Sequence, residues 1–595
     1  MVSLAGFLAG QQGGGRGGAG PVVSTSVRLE NWGRLHLAAP GIIGWRVGVR
    51  SDAFGRLPFS EAAARIDALN VAFVEGFGGQ EFSREIPKKL DYNLAPGELT
   101  AVKDRLRSLN LQMPVYFAPV IGDENAARKL FQFAKGLAVE TIVGSPDPAS
   151  LAMIDKLANE FSVNMALYNR SRKETPGYWN AESLLKAVEG RSKRIGAYID
   201  VGAWTEEGLN PVAELTALKE RLIGANLSFR STRGGKDHDT SVMAEINRLG
   251  LKPSFITVDA HESVDLSKSL ESLDKALQPI MAESIAQFAR ATPIQRPDLL
   301  ANPEERRRME AQLSTDLQRY DLTLEDVKRK IDAALPQQSP AKPKRPRKLL
   351  ILDLCVGYNG HLANRFAVDY ALDLMGKKTG AWETVLSNDL DNLKYEKIKQ
   401  FDAVYLNNTV GTLLVDQQVR DGLSRFVREG GGLAGNHGTG HAEMDWPEFG
   451  EMLGTYHGTH RENTEKAMVK IDDPKSPLTS AFAGQEFLHQ DEFFRFPDGP
   501  YSREKLHVLL SMDVAKTDMN QGLPCSHPCS RADNDYGLSW IHNYGKGRVF
   551  FCALGHRPTL LTNPAMASYF MSGIQFILGD LEADTTPSAR LSTKR

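Results

Sequence analysis

Between residues 42 and 272, short apolar, β-branched runs alternate with stretches whose apolar positions recur every three or four residues. The first pattern is that of a buried strand and the second that of a helix packed by one face. Strands are expected at residues 45–49, 70–75, 112–117, 141–143, 164–168, 194–200, 227–230 and 254–258. Helices are expected between them, at 61–69, 96–109, 123–136, 150–161, 181–189 and 239–249. Eight strands with intervening helices fit a (β/α)8 barrel, and an open doubly wound sheet is the alternative arrangement.

The pattern changes at residue 273. Two charge-rich helical runs, 273–290 and 303–335, lead to PQQSPAKPKRPRK at 336–348, whose prolines favour an extended spacer. Alternation then resumes with apolar strands at 349–354, 382–386 and 401–406 and one around Leu433, the signature of a flavodoxin-like, mostly parallel sheet with helices on both faces. From 468 the chain becomes more β-like. Runs at 537–544 and 548–554 flank NYGKG, a hairpin signal, and 563–578 reads as a closing amphipathic helix. The chain is therefore divided into a flexible Gly-rich segment (1–40), a barrel (41–272), a helical and Pro/Lys-rich linker (273–347), a second α/β domain (348–580) and a tail (581–595).

At 595 residues the chain is too long for one core. Its formal charge of −2 leaves no global footprint for nucleic acid, and no apolar run reaches the length of a membrane-spanning helix. Four cysteines make no disulfide framework. Cys355 and Cys552 sit in apolar strands, whereas Cys525 and Cys529 flank His527 in a CSHPCS loop that lacks a second metal-like ligand pair. The apolar run 2–10 before the Gly-rich stretch has the look of a secretory signal without its basic start, which favours export or the periplasm; a disordered tail in a cytoplasmic protein is the alternative.

The chemistry concentrates in the second α/β domain. At 430–446 the chain reads GGGLAGNHGTGHAEMDW: a helix ends, a short strand follows, and a sharp Gly-rich turn delivers His437 and His441 to the carboxyl end of that strand, where α/β sheets bind ligands. His361, His460, Asp491, Glu492 and His556 also lie at strand ends or in adjacent loops. Such a set suits general acid/base work near neutral pH, and three or more of the imidazoles also suffice to bind a metal such as zinc. Tyr358, Trp446, Phe494 and Trp540 are aromatic candidates for stacking on a sugar, with core packing as the alternative. His542, in mid-strand, reads as structural.

Two resemblances sharpen this picture. In the barrel, FVEGFGG (73–79), GYWNAESLLKAVEG (177–190) and YIDVGAWTEEGLNP (198–211) resemble the xylose-isomerase-like sugar isomerases and epimerases. That resemblance implies a divalent metal at the strand ends. The residues it requires are thinned here: Tyr168-Asn169-Arg170 and Asp200-Val201-Gly202-Ala203 replace its His-containing motifs, Asn226 stands in the seventh-strand region, and Asp259 stands where the family has Glu. Asp200 remains, with Glu75 and Asp259 as companions, so a sugar-shaped pocket without a catalytic metal is expected. In the second domain, GYNGH (357–361), the 430–454 stretch, YHGTH (456–460), HQDEFFRF (489–496) and SWIHNYGKGRVFFCALGH (539–556) resemble the ThuA-like, trehalose-utilisation family. This implies a class I glutamine-amidotransferase-like fold and a role in carbohydrate metabolism. The strand-to-helix turn carries Asn436-His437 in place of the amidotransferase cysteine, which argues against thiol chemistry.

The expected function is proton transfer on a sugar or keto-sugar by an isomerase or lyase: isomerisation, elimination or hydration beside a carbonyl. His437 or His361 would be the base, Glu492 the acid or orienting group, and His460, Asp491 and His556 further catalytic candidates. Tyr358, His441, Trp446, Glu75 and Asp200 would contact substrate. The expected partner is a small carbohydrate, with no nucleic acid. The competing class is a non-catalytic carbohydrate-binding or scaffolding protein with degenerate sites.

Overall fold

The computed structural model describes residues 43, 45–69, 71–229, 238–259, 266–356, 361–443, 445–455, 458–496, 499–521 and 530–592. The Gly-rich N-terminal segment with its signal-like run, Tyr358 and the CSHPCS loop lie outside these residues. The chain forms two compact units that divide between Ser284 and Ile285.

The first unit is a closed barrel of eight parallel strands in sequence order: β1 (Val47–Arg50), β2 (Phe73–Phe77), β3 (Gln112–Phe117), β4 (Thr141–Gly144), β5 (Asn164–Tyr168), β6 (Ile195–Asp200), β7 (Leu222–Leu227) and β8 (Phe255–Val258). Its core is packed by Phe73, Val115, Phe117, Tyr168, Tyr198 and Phe255. The seventh strand lies earlier than its pattern suggested, at LIGANL rather than 227–230. Glycine and asparagine dilute the apolar run, but β6 and β8 pair with both edges of β7 and every residue of it is buried, so its two ladders outweigh local propensity.

In the second unit a nine-stranded sheet is built from β9 (Lys348–Leu352), β10 (Glu383–Leu386), β11 (Ala403–Leu406), β12 (Gly432–Asn436), β14 (Glu465–Ile471), β15 (Phe487–Asp491), β17 (His507–Met512), β18 (Gly537–Tyr544) and β19 (Gly547–Cys552), while β13 (Thr459–His460) and β16 (Phe494–Arg495) pair separately. The order is β10-β9-β11-β12-β19-β18-β17-β14-β15. The first five strands in that order are parallel, and the remaining pairings are antiparallel. The sheet is thus mixed: a doubly wound half is extended by the hairpin that NYGKG closes.

From Ile285 onward the expected linker belongs to this unit. Helices Pro303–Gln318 and Leu324–Ala334 bury Met309, Leu313, Leu317, Val327 and Ile331 in the same core as β9 and helix Leu362–Thr379. Nor is the Pro/Lys-rich stretch a free spacer. The Ala341 N–H donates to Gln575 Oε1 (2.9 Å) and its carbonyl accepts from Gln575 Nε2 (2.6 Å). Arg347 donates to the buried Asp580 (2.7 Å) and to Asp402 (3.0 Å). Proline removes regular backbone pairing but not side-chain anchorage. Among the described residues no helix is long and apolar enough to cross a membrane.

Candidate active site

Three parallel strands aim their carboxyl ends at one place. His361 precedes the helix that follows β9, His437 directly follows β12, and His556 follows β19. Their rings meet edge to face, with centroids 5.1 Å apart for His361–His437, 5.1 Å for His361–His556 and 5.2 Å for His437–His556. All three are buried, and one ligand atom from each lies within 4.8 Å of the others.

The turn at His437 is held by its neighbours. His437 itself has φ +37°, a left-handed conformation costly for a side chain with a Cβ and common at functional turns. Thus the strained residue is the histidine, whereas the glycines allow close packing. A Cβ on Gly438 would lie 2.8 Å from the Asn408 carbonyl oxygen and 2.9 Å from the His361 ring. The Asn436 side chain accepts from the Asn408 N–H (3.2 Å), Asn408 Oδ1 accepts from the Gly438 N–H (3.3 Å), and the Thr439 hydroxyl donates to the Leu406 carbonyl (2.8 Å).

Each ring is also anchored from behind. His437 Nδ1 donates to the Ala553 carbonyl (3.0 Å), which turns Nε2 inward, towards the other two rings and Glu492. The His361 ring hydrogen-bonds the Asn408 backbone. His556 Nδ1 lies 3.3 Å from the Asn463 amide and 3.5 Å from the Tyr320 hydroxyl. Asn364 donates to the carbonyls of Gly555 (3.0 Å) and His556 (2.7 Å), and Asp316 accepts from the Ala363 N–H (2.9 Å) beside His361. The helix that carries Asp316 and the turn that carries Tyr320 therefore brace two of the three histidines. No local motif marks either residue in the sequence.

Glu492 faces the cluster. Its carboxylate lies 3.4 Å from His437 Nε2, 3.4 Å from His460 Nδ1 and 3.7 Å from His556 Nε2. His460 is the accessible member, with its side chain 39% exposed. Phe494, opposite His460 in the β13–β16 pair, stacks on His437 at 4.6 Å, so the histidine occupies a face that the sequence offered to a sugar.

Burial and mutual repulsion push His361 well below the usual imidazole range, and burial brings His556 down to about 4. Burial opposes the charged form of His437 as well, but the hydrogen bond and charge of Glu492 outweigh it and the pKa rises. For Glu492, burial pushes upward and the surrounding histidines prevail, so its pKa is lowered. At neutral pH the site therefore holds an ionised carboxylate beside two neutral imidazoles.

Other expected residues are placed differently. Asp491 accepts from the backbone N–H groups of Gly555 (2.7 Å) and Arg557 (3.2 Å) and pairs with His489 (3.3 Å). Its oxygens are thereby committed to holding the loop of His556, which makes it a positioning residue. The Trp446 ring packs on Phe449 (5.7 Å) beneath Arg420 (5.2 Å), and its role is packing. His441 lies with its ring 6.3 Å from Phe494. Trp540 is core and donates to the Leu453 carbonyl (3.0 Å), and His542 bonds the Met452 carbonyl (3.0 Å). Cys355 and Cys552 are buried free thiols, and burial pushes Cys552 up to about 12. Glu75 and Asp200 lie in the barrel, at β2 and at the end of β6.

Fold and site together define a two-unit α/β protein with a histidine–carboxylate centre at the ligand edge of its C-terminal sheet. Residues 350–577 match the family model ThuA, described as trehalose utilisation. No curated protein matches the chain. Similar solved structures include an uncharacterised protein from Parabacteroides distasonis ATCC 8503 (23% identity, TM-score 0.35, covering 39% of this chain and 99% of that one). A D-tagatose 3-epimerase-like protein shows 17% identity, a TM-score of 0.34, and coverage of 40% and 99%. A protein described as ThuA-like from Bacteroides uniformis ATCC 8492 shows 15% identity, a TM-score of 0.33, and coverage of 40% and 91%.

Proposed function

We propose that the C-terminal unit is the active site of a carbohydrate-active isomerase or lyase, in which His361, His437 and His556 hold a divalent transition metal and Glu492 moves a proton beside a carbonyl. The observation that carries this reading is the convergence of three buried imidazoles within 4.8 Å. Their other contacts support it, since His437 donates outward through Nδ1 (3.0 Å) and His556 Nδ1 has the Tyr320 hydroxyl oxygen, an acceptor, at 3.5 Å. Metal-binding histidines characteristically use one ring nitrogen this way. An all-imidazole set with an adjacent carboxylate suits zinc or a neighbouring transition metal. When bound, the metal would polarise a substrate oxygen.

The chain's own groups account for the proton. Glu492 is ionised at neutral pH and reaches inward, so it is the base, a role the sequence had offered to His437 or His361. His460, against Glu492 and partly exposed, passes the proton onward or returns it at the neighbouring carbon. The carbohydrate assignment draws on the description of the matching family. In this reading the barrel binds a related sugar or performs a second, altered step.

The test is hydrogen exchange or turnover of keto-hexoses and keto-disaccharides in deuterated water by the zinc-loaded chain. Glu492→Gln should lower the rate roughly 10²–10⁴-fold while sugar binding survives. Undiminished exchange in that variant would refute the role of Glu492. Binding without exchange in the wild type would favour the non-catalytic carbohydrate-binding protein.

A further inference from the structure

The barrel of the xylose-isomerase-like proteins implies a divalent metal, and the residues at this barrel's mouth do not fit one. Asp200 accepts from the Tyr168 hydroxyl (2.5 Å), the Ala203 N–H (2.9 Å) and Asn226 Nδ2 (3.3 Å). Glu75 accepts from the hydroxyls of Thr257 and Tyr198, the latter at 3.4 Å. Asp259 lies 3.6 Å from Arg50 Nη2 and 3.5 Å from Asn226 Nδ2. Among the described residues, no three barrel carboxylates or histidines bring ligand atoms within 4.8 Å of one another.

A guanidinium stands among them instead. Arg50, the last residue of β1, is paired in register with Glu75. Its Nε donates to Asp52 (2.6 Å), and its charge centre lies 5.6 Å from the Phe117 ring. A fixed cation at this range repels a dication and neutralises the carboxylates that would attract it.

Asn226 carries a buried polar atom left over. Asn226 is 4% exposed, and its Nδ2 faces three acceptors: the Tyr168 hydroxyl (3.0 Å), Asp200 and Asp259. These acceptors fix the orientation of the amide, and among the described residues Oδ1 is buried without a hydrogen-bond partner. A buried carbonyl oxygen amid carboxylates lacks a donor, and a ligand hydroxyl is a donor.

We infer that the barrel mouth is a metal-independent site in which Arg50 supplies the fixed positive charge and Asn226 Oδ1 receives a hydroxyl of a neutral, polyhydroxylated ligand. The ligand class rests on the carbohydrate reading above; the exclusion of the metal does not. Arg50 takes the part a metal would play towards a ligand oxygen, and the carboxyl oxygens beside it accept further hydroxyls.

The experiment uses the full chain carrying His437→Ala, so that the histidine centre of the second unit contributes no metal. After incubation with manganese and dialysis, less than about one tenth of a manganese ion per chain is expected, because the described barrel residues bring no oxygen set together. One ion per chain, lost on Asp259→Asn, overturns the inference whatever sugars do. In a second arm, D-fructose is observed by saturation-transfer NMR with EDTA present. Asn226→Ala and Arg50→Gln should each weaken its binding about tenfold, the usual worth of one hydrogen bond in a buried site. Thermal melting identifies a variant that fails to fold. A signal that appears only after manganese is added, or that ignores both substitutions, also overturns the inference. Absence of a fructose signal under every condition refutes the sugar reading and leaves the manganese arm to decide the metal question.

Discussion

Replacing His556 by alanine removes one of the three inward imidazoles while leaving the core intact, since His361 and His437 are anchored independently on Asn408 and Ala553. Zinc bound by four protein ligands is worth about 10–16 kcal/mol, so one ligand carries about 3–4 kcal/mol, and His556→Ala should weaken zinc binding roughly 10²–10³-fold. The pH dependence is more diagnostic. Protons compete with metal for imidazole nitrogen, so affinity rises with pH until every ligand is neutral. His556, at about 4, and His361, well below its ordinary value, are already neutral near neutral pH, whereas His437 is raised by Glu492 and is the last of the three to lose its proton as the pH rises. The log of the association constant should therefore climb by about one per pH unit below the raised pKa of His437 and level off above it. Three unperturbed imidazoles would release up to three protons near pH 6.5. The assay is a chelator-competition titration with zinc at several pH values, repeated with cobalt to report coordination through its visible spectrum. At zinc a hundredfold above the dissociation constant, the wild type should gain about 2.7 kcal/mol of stability and the variant almost none. A chain that keeps no stoichiometric zinc, a slope near three, or a His556→Ala affinity within about threefold of wild type would each refute the reasoning.

Two further outcomes test the surroundings of the site. Tyr320→Phe keeps the ring beneath Arg557 but removes the hydroxyl 3.5 Å from His556 Nδ1, and it should weaken zinc about tenfold without altering the melting temperature of the zinc-free chain; unchanged affinity would show that Asn463 alone orients the ring. Asp580→Ala leaves the buried Arg347 with only Asp402 at 3.0 Å, should cost the second unit about 3 kcal/mol, and should expose residues 336–348 to protease, whereas the wild type resists cleavage there; equal nicking of both proteins would show that the stretch is a free linker after all.

The barrel could be read from the chain because each β–α unit repeats a strong local signal, strand period followed by helix period, and β7 slipped only where Gly224 and Asn226 interrupt that signal. The histidine centre was legible for a different reason. In a parallel sheet, residues just beyond successive strand ends share an edge, so His437 and His556 could be assigned together without knowing any distance. What the sequence hides is who holds whom. Glu492 and Asp491 are adjacent in the chain, yet one faces three histidines and the other faces the amides of Gly555 and Arg557. Asp491 is the last residue of β15 and Glu492 the first beyond it, so the sheet holds one carboxylate and the loop aims the other. Tyr320 and Asp316 were hidden more deeply. They lie in a charge-rich stretch whose sparse apolar positions, Met309, Leu313 and Leu317, recur every four residues and are all buried in the core of the second unit. That spacing is the signal that distinguishes a docked helix from a solvated linker, and it is diluted by the arginines and glutamates around it. The same separation of chemistry from local pattern explains Arg50. A lone arginine at the end of a strand carries no motif, and only closure of the barrel, which brings β8 beside β1, sets it within 3.6 Å of Asp259 and gives the mouth a cation of its own.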